Sequence, residues 1–363
     1  MNSIQLSAEP VSPVDDAINS WFDPIATWFG NIIFFPITIG EISFPFVVLW
    51  LIFAALAFTV YFGFIQARGA KLALEIIRGK FSSQDDPGEV THFQALASAL
   101  SGTVGLGNIA GVGVAIALGG PGATFWMIVA GLLGMCTKFV ECTLGVKYRE
   151  IDENGVVHGG PFKYLPVAFR RFSRPVATTL TGLFAIAILI FGVVGGGMFQ
   201  ANQTFAQVRT ATGGDDGFLA GPFASLAFGI VFAALVALVI LGGIRSIAKV
   251  TDKLVPGMAI FYVVSCLLVL GLNFSNIPHA IGEIFAGAFN PQGIAGGVVG
   301  VMIIGFQRSA FSNEAGIGSA PIAHSAVKTR RPISEGFVAL LEPFIDTVIV
   351  CTMTALTIIV ANQ

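Results

Sequence analysis

What most constrains this chain is a series of long apolar runs, near 44–64, 93–117, 122–146, 176–205, 222–243, 254–273, 293–322 and 337–361. A helix crossing the hydrocarbon core needs about 20 mostly apolar residues. Lipid offers no partner for backbone N–H and C=O groups, so a spanning segment of this kind must satisfy them internally, as a helix does. The runs therefore predict an all-α, polytopic membrane protein of eight spans. Composition supports this where it speaks of solvent. Only 11% of the 363 residues are charged, against about 25% in soluble domains. The 44 glycines suit close packing of helices in lipid.

Basic residues concentrate in alternate loops. Arg68, Lys71, Arg78 and Lys80 follow the first run, and Lys147, Arg149, Lys163, Arg170, Arg171 and Arg174 follow the third. Arg245, Lys249 and Lys253 follow the fifth, and Lys328, Arg330 and Arg331 the seventh. Together they are 16 of the 19 basic residues. By the positive-inside rule these loops are cytoplasmic and the N-terminus is external. The first 40 residues hold Glu9, Asp15, Asp16 and Asp23 but no Lys or Arg, so no cleavable signal is expected. Ile18, Trp21, Phe22, Ile25, Trp28, Phe29 and Ile32 repeat at helical steps. They predict an amphipathic helix that either anchors at the headgroups or packs on the bundle. Pro36 and Pro45 punctuate the turn into the first span.

Two runs are interrupted. Ser101-Gly102-Thr103-Val104-Gly105-Leu106-Gly107-Asn108 weakens a helix in mid-span, since each Gly is about 1 kcal/mol worse than Ala. Such a stretch either packs closely on a neighbour or leaves backbone unpaired against a cavity. The second interruption, Gly305 to Gly318, carries Arg308 and Glu314. A charge in mid-membrane costs about 2.5–3.5 kcal/mol on insertion scales. The two either pair with one another or loosened backbone, or act as coupling or gating groups together with Asn313. The interrupted runs are the second and seventh, five apart and opposite in direction. That arrangement is expected of inverted repeats with a site at the midplane.

In the fourth run Gln200 and Asn202 follow a Gly195-Gly196-Gly197 triplet. Two apart, they cannot share a helix face, so Gln200 is the candidate substrate contact and Asn202 a helix–helix bond. Cys136, Cys142, Cys266 and Cys351 lie inside apolar runs without metal or disulfide spacing, and are expected to be buried thiols. No Gly-Lys-Ser/Thr follows the glycines, which excludes a P-loop. His92, His158, His279 and His324 are too scattered for a metal site, no nucleophile–base pair is visible, and nothing points to nucleic acid. A channel or a membrane-embedded enzyme fits less well than a carrier, because neither pore-lining rings nor a cluster of titratable groups at one depth is apparent.

The motifs Gly105-Leu106-Gly107-Asn108-Ile109-Ala110-Gly111-Val112, Gly119-Gly120-Pro121-Gly122-Ala123-Thr124-Phe125-Trp126-Met127 and Phe311-Ser312-Asn313-Glu314-Ala315-Gly316-Ile317-Gly318-Ser319-Ala320-Pro321 resemble hallmarks of the alanine or glycine:cation symporter family. The second usually has an aliphatic residue at Thr124 and a Trp at Ile128. The resemblance runs from about residue 45 to the end. It implies the leucine-transporter-like fold of inverted five-helix repeats, with one extra N-terminal helix. The expected organisation is an external N-terminal segment at 1–43, an extra span and cytoplasmic loop at 44–92, a first repeat at 93–273, and an external loop with two helices of the second repeat at 274–363. Family members have about three further spans, so a chain truncated at its C-terminus is expected.

The resemblance also implies sodium-coupled symport of alanine, glycine or serine across the inner (plasma) membrane, with proton coupling as the alternative and no cofactor. N–H groups at Leu106 and Gly107 would meet the substrate carboxylate, with Thr103, Gln200, Phe306 and Ser309 completing the substrate set. The Thr103 carbonyl and Asn108 would contact one sodium ion, and the Ser101 and Val104 carbonyls another.

Overall fold

A computed structural model describes residues 13–39, 42–83, 85–221, 223–291 and 296–362. The chain divides into two compact units, 1–53 and 54–363. In the first, helix α1 (Pro13–Ile33) leaves Trp21 and Trp28 exposed. The prolines expected to mark a turn are instead paired across a short antiparallel hairpin, β1 (Pro36–Ile39) with β2 (Ile42–Pro45). Ile18 lies among residues whose side chains are outside the description.

Helix α2 (Phe46–Tyr61) leads into the second unit and bends by 77° into α3 (Ile65–Ile77). The broken run is α4 (His92–Thr103) and α5 (Leu106–Gly119), at 43° to one another. A capping box starts α4: Thr91 Oγ1 accepts the Gln94 N–H and Gln94 Oε1 accepts the Thr91 N–H. Then follow α6 (Ala123–Lys147), a β3–β4 hairpin (Glu150–Ile151, Val157–His158), α7 (Pro161–Phe169) and α8 (Arg174–Ala211). The remaining helices are α9 (Ala224–Ile240), α10 (Gly243–Leu272), α11 (Ile277–Phe289), α12 (Gly297–Asn313), α13 (Ala320–His324) and α14 (Pro332–Ala361).

Among the described residues α6, α8, α10 and α14 are long and apolar enough to cross a membrane. Counting each bent pair as one span makes six, and α9 is a shorter apolar helix. The fold is thus all-α and polytopic.

The core lies around α6. Val112 and Ala115 of α5, Ala123 and Met127 of α6, Val301 of α12, and Cys351 and Ala355 of α14 form one buried cluster. A Cβ on Gly305 would sit 2.5 Å from that of Trp126, so α12 approaches α6 through glycine, as helices packed in lipid commonly do. All four cysteines are buried free thiols. At one end of the bundle, Arg149 ties the loops together. Its guanidinium donates to the carbonyls of Ser325 and Pro87 at 2.7 Å, Thr329 at 2.7 Å, and Val327.

Two helices contain π-helical segments, Gly192–Met198 in α8 and Phe344–Cys351 in α14. Such segments are rare and concentrate at functional sites. Both border the region described next.

Candidate functional site

The first break is short. Helix α4 ends at Thr103, Val104 and Gly105 are extended, and α5 begins at Leu106. N–H groups in the first turn of α5 have no intrahelical acceptor. Asn108 holds the residue just before them, its Oδ1 accepting the Gly105 N–H at 2.8 Å. The second break is longer. Glu314 ends α12 in a left-handed conformation, φ 54°, which is uncommon for a residue with a side chain. Gly316 and Gly318 also have positive φ, and α13 starts at Ala320.

The breaks meet. Gly107 lies so close to Ser312 that a Cβ there would be 3.0 Å from the Ser312 Cα. Where they cross, Asn108 Nδ2 donates to Ser312 Oγ at 3.0 Å and to Asp346 Oδ1 at 2.7 Å. Ser312 Oγ and Thr347 Oγ1 donate to Asp346 Oδ2 at 2.7 and 2.8 Å. Asn313 extends the cluster, donating to Thr347 Oγ1 at 2.9 Å and Ser309 Oγ at 3.0 Å. Asp346 is fully buried, in the π-helical segment of α14. Among the described residues no cationic side chain pairs with it. A buried carboxyl without a cationic partner either takes up a proton or coordinates an ion. Around it stand the hydroxyls of Ser312 and Thr347, the amide nitrogen of Asn108 and the thiol of Cys351; the carboxylate and hydroxyl oxygens are the ligand type a hard cation takes.

Beside this cluster is a cavity of about 30 Å³. Gly102, Thr103 and Gly107 of the first break, Glu314 of the second, and Gly195 and Gln200 of α8 contribute to its wall. Gln200 faces the first break, its Oε1 3.5 Å from where a Gly105 Cβ would stand. The space is small, and the glycines that line it carry no side chain into it.

The expected site residues therefore separate. Thr103, Gly107, Gln200 and Glu314 line the cavity. Asn108, Ser309 and Asn313 belong to the polar cluster. Leu106 and Val104 flank the break. The Ser101 hydroxyl is bound to the Ser98 carbonyl at 2.6 Å. Phe306 is buried in α12 away from the cavity wall. Asn202 is exposed and takes a bond from its neighbour Gln203, rather than from another helix.

Arg308 and Glu314 do not pair. Among the described residues Arg308 has no ion-pair partner, while Glu314 accepts from Ser319. Next to it in the bundle is a polar chain that the sequence pattern did not reveal. Lys138 Nζ reaches Glu342 Oε1 at 3.0 Å. Glu342 faces His324 at 3.6 Å, His324 Nδ1 meets Glu335 at 2.5 Å, and Glu335 meets His92. Lys138, His324, Glu335 and Glu342 are wholly buried. One turn from Lys138, Glu141 accepts the Gly316 N–H at 3.2 Å. Two histidines distant in sequence thus converge on one carboxylate. Among the described residues no group of His, Cys, Asp and Glu has metal-binding geometry.

The family model of the sodium:alanine symporter family matches residues 35–363. The chain belongs to this family. Its members are transporters rather than enzymes. Among its relatives, the sodium/alanine symporter AgcS of Methanococcus maripaludis is 40% identical over 88% of this chain and 68% of its own length. A putative sodium/proton-dependent alanine carrier of Bacillus subtilis, YrbD, is 36% identical over 84% of this chain and 59% of its own length. The probable sodium/glutamine symporter GlnT of Bacillus subtilis is 33% identical over 86% of this chain and 63% of its own length. The chain thus spans about two thirds of the length of the curated relatives it matches.

Proposed function

We propose that this chain forms the ion- and substrate-binding part of a sodium-coupled symporter for small neutral amino acids, alanine or glycine and at most serine. The observation that carries the reading is Asp346, buried without a cationic partner among the described residues where side chains from both helix breaks converge. Sodium binds among the oxygens of Asp346 and Ser312 with the Thr103 carbonyl, Asn108 turning its amide oxygen from the Gly105 N–H to join them, and a second ion faces the Ser101 and Val104 carbonyls. The substrate carboxylate lies on the N–H groups of Leu106 and Gly107, at the positive end of the α5 dipole. Gln200 contacts its polar groups from α8, and the small cavity sets the limit on side-chain size. Ser309 holds Asn313 in place, Phe306 packs behind the cluster, and Arg308, Asn313 and Glu314 take part in gating.

This reading includes the inverted-repeat organisation with repeats beginning at 93 and 274, residence in the cell inner membrane, and an external N-terminus. The two breaks and the alternation of basic loops support it. Proton coupling is the second reading, favoured by the relative named as sodium/proton-dependent. The test is uptake of labelled alanine into liposomes containing the protein. An inward sodium gradient should drive saturable, concentrative uptake with counterflow, competed by glycine and serine more strongly than by glutamine. Uptake that follows an imposed proton gradient alone selects the second reading, and non-saturating flux without counterflow removes both.

A further inference from the structure

A cavity of about 770 Å³ lies away from the breaks. It is a groove under the elbow where α2 turns into α3. Ala67, Ala70 and Leu74 of α3 form one wall, Leu132 and Leu133 of α6 another, and Ile349 of α14 closes it. The volume is that of a full ligand site, which typically spans about 300–1,000 Å³. Its wall is almost wholly apolar. The polar side chains in it are Gln66 and Thr59, and they bond to each other at 3.2 Å, leaving Gln66 Oε1 without a donor. A substrate amino acid finds nothing here to bind its charges.

Helix α3 is held in place by its opposite face. Ala73 and Ile76 join Leu96, Leu100, Val255, Val338 and Leu341 in a buried cluster. The face bearing Ala67, Ala70 and Leu74 is thereby turned to the groove. On the edge of that face, four residues after Ala67 and three before Leu74, stands Lys71, and Arg78 follows one helical repeat later. Positions four and seven apart lie on one side of a helix. Both are exposed; Glu75 lies between them and pairs with Lys80 at 2.8 Å, so Lys71, Glu75, Arg78 and Lys80 leave this stretch with a net positive charge. An apolar trough beside a net positive helix edge matches a molecule with a long apolar tail and an anionic head.

We infer that the groove binds the acyl chain of an anionic phospholipid whose phosphate lies against Lys71 and Arg78. Basic side chains near a membrane surface select anionic headgroups, while the apolar wall accepts any tail. The site is separate from the cavity at the breaks, so it does not depend on the transport reading.

The test is native mass spectrometry of the detergent-purified protein, incubated with phosphatidylglycerol or with phosphatidylethanolamine of matched acyl chains. Phosphatidylglycerol should be retained preferentially. The double substitution Lys71→Gln with Arg78→Gln should weaken its retention by about thirtyfold, from two surface charges, without changing that of phosphatidylethanolamine. Ala70→Phe, which fills the trough, should reduce retention of both. As a second measurement, phosphatidylglycerol with a photoreactive acyl chain should cross-link to α3 or α6 residues of the groove in the wild type. Equal retention of the two lipids by the wild type, an unaffected double variant, or cross-links confined to other helices would each overturn the proposal. A groove occupied by protein rather than lipid would show itself as the last of these.

Discussion

The two helix breaks meet the same requirement, backbone satisfied at membrane depth, with different chemistry. The first is neutral and nearly self-contained: Val104 and Gly105 separate the half-helices, and Asn108 turns back to hold the Gly105 N–H. The second is longer and charged. Glu314 binds Ser319 within the linker, and Glu141 reaches in from α6 to hold the Gly316 N–H. Close by, Lys138 on α6 pairs with Glu342. A break served by its own side chain depends on other helices through that side chain, here Asn108 bound to Ser312 and Asp346. One served by carboxylates depends on the charges packed around it.

The strongest way to break this comparison is at Lys138. Removing one partner of a buried ion pair costs about 3–5 kcal/mol, whereas replacing both by apolar groups can be nearly neutral. Lys138→Met should therefore lower thermal stability severely, and Lys138→Met with Glu342→Met should recover much of it. If the double variant is as unstable as the single one, the His324 contact to Glu342 matters more than the pair itself.

At the first break, Asn108→Ala removes the donor to Asp346 and the acceptor for Gly105, and buried groups left unpaired cost about 1–3 kcal/mol each. Asn108→Asp is more discriminating. It still accepts from Gly105 but sets a second carboxylate beside Asp346. Its melting temperature should be depressed at low sodium and recover as sodium rises. A deficit independent of sodium makes Asn108 a helix cap and nothing more.

A smaller effect is expected at Glu314. A left-handed residue other than glycine carries about 1–2 kcal/mol of strain, so Glu314→Gly should stabilise the fold modestly, and Glu314→Gln should not. If transport falls in both, the carboxylate is required; if it falls only with Gly, the fixed backbone is. The smallest effect belongs to Ser101→Ala, whose hydroxyl only bonds the preceding turn. Stability should change by less than about 0.5 kcal/mol, as for ordinary surface positions, and the sodium response should be unaltered.

Much of the fold was legible because apolar length and glycine content are local properties. Both breaks lie where the glycines and charges interrupt the apolar runs. Helix α10 begins at Gly243 rather than at 254, because Arg245, Lys249 and Lys253 end an apolar run without ending a helix. The candidate site was legible only in part. Gln200 was found through its polarity in an apolar run, but Asp346 was overlooked although it is one turn beyond Glu342 and eleven residues beyond Glu335. That spacing puts three acids on one helix face, a signal as strong as Glu314. The partners of Glu342 and Asp346 lie far away in sequence, Lys138 by 204 residues and Asn108 by 238, which no local pattern encodes. The meeting of His92 with Glu335 is hidden for the same reason: they are 243 residues apart.

The central claim is that Asp346, between the two breaks, binds sodium. A ligand that binds only the folded protein raises its stability with concentration. The most direct measurement is the melting temperature of the purified protein as sodium replaces choline at constant ionic strength, for the wild type and Asp346→Asn. The wild type should stabilise progressively and saturably, and Asp346→Asn should remain folded but lose that response. The same sodium-dependent rise in both proteins would contradict the account.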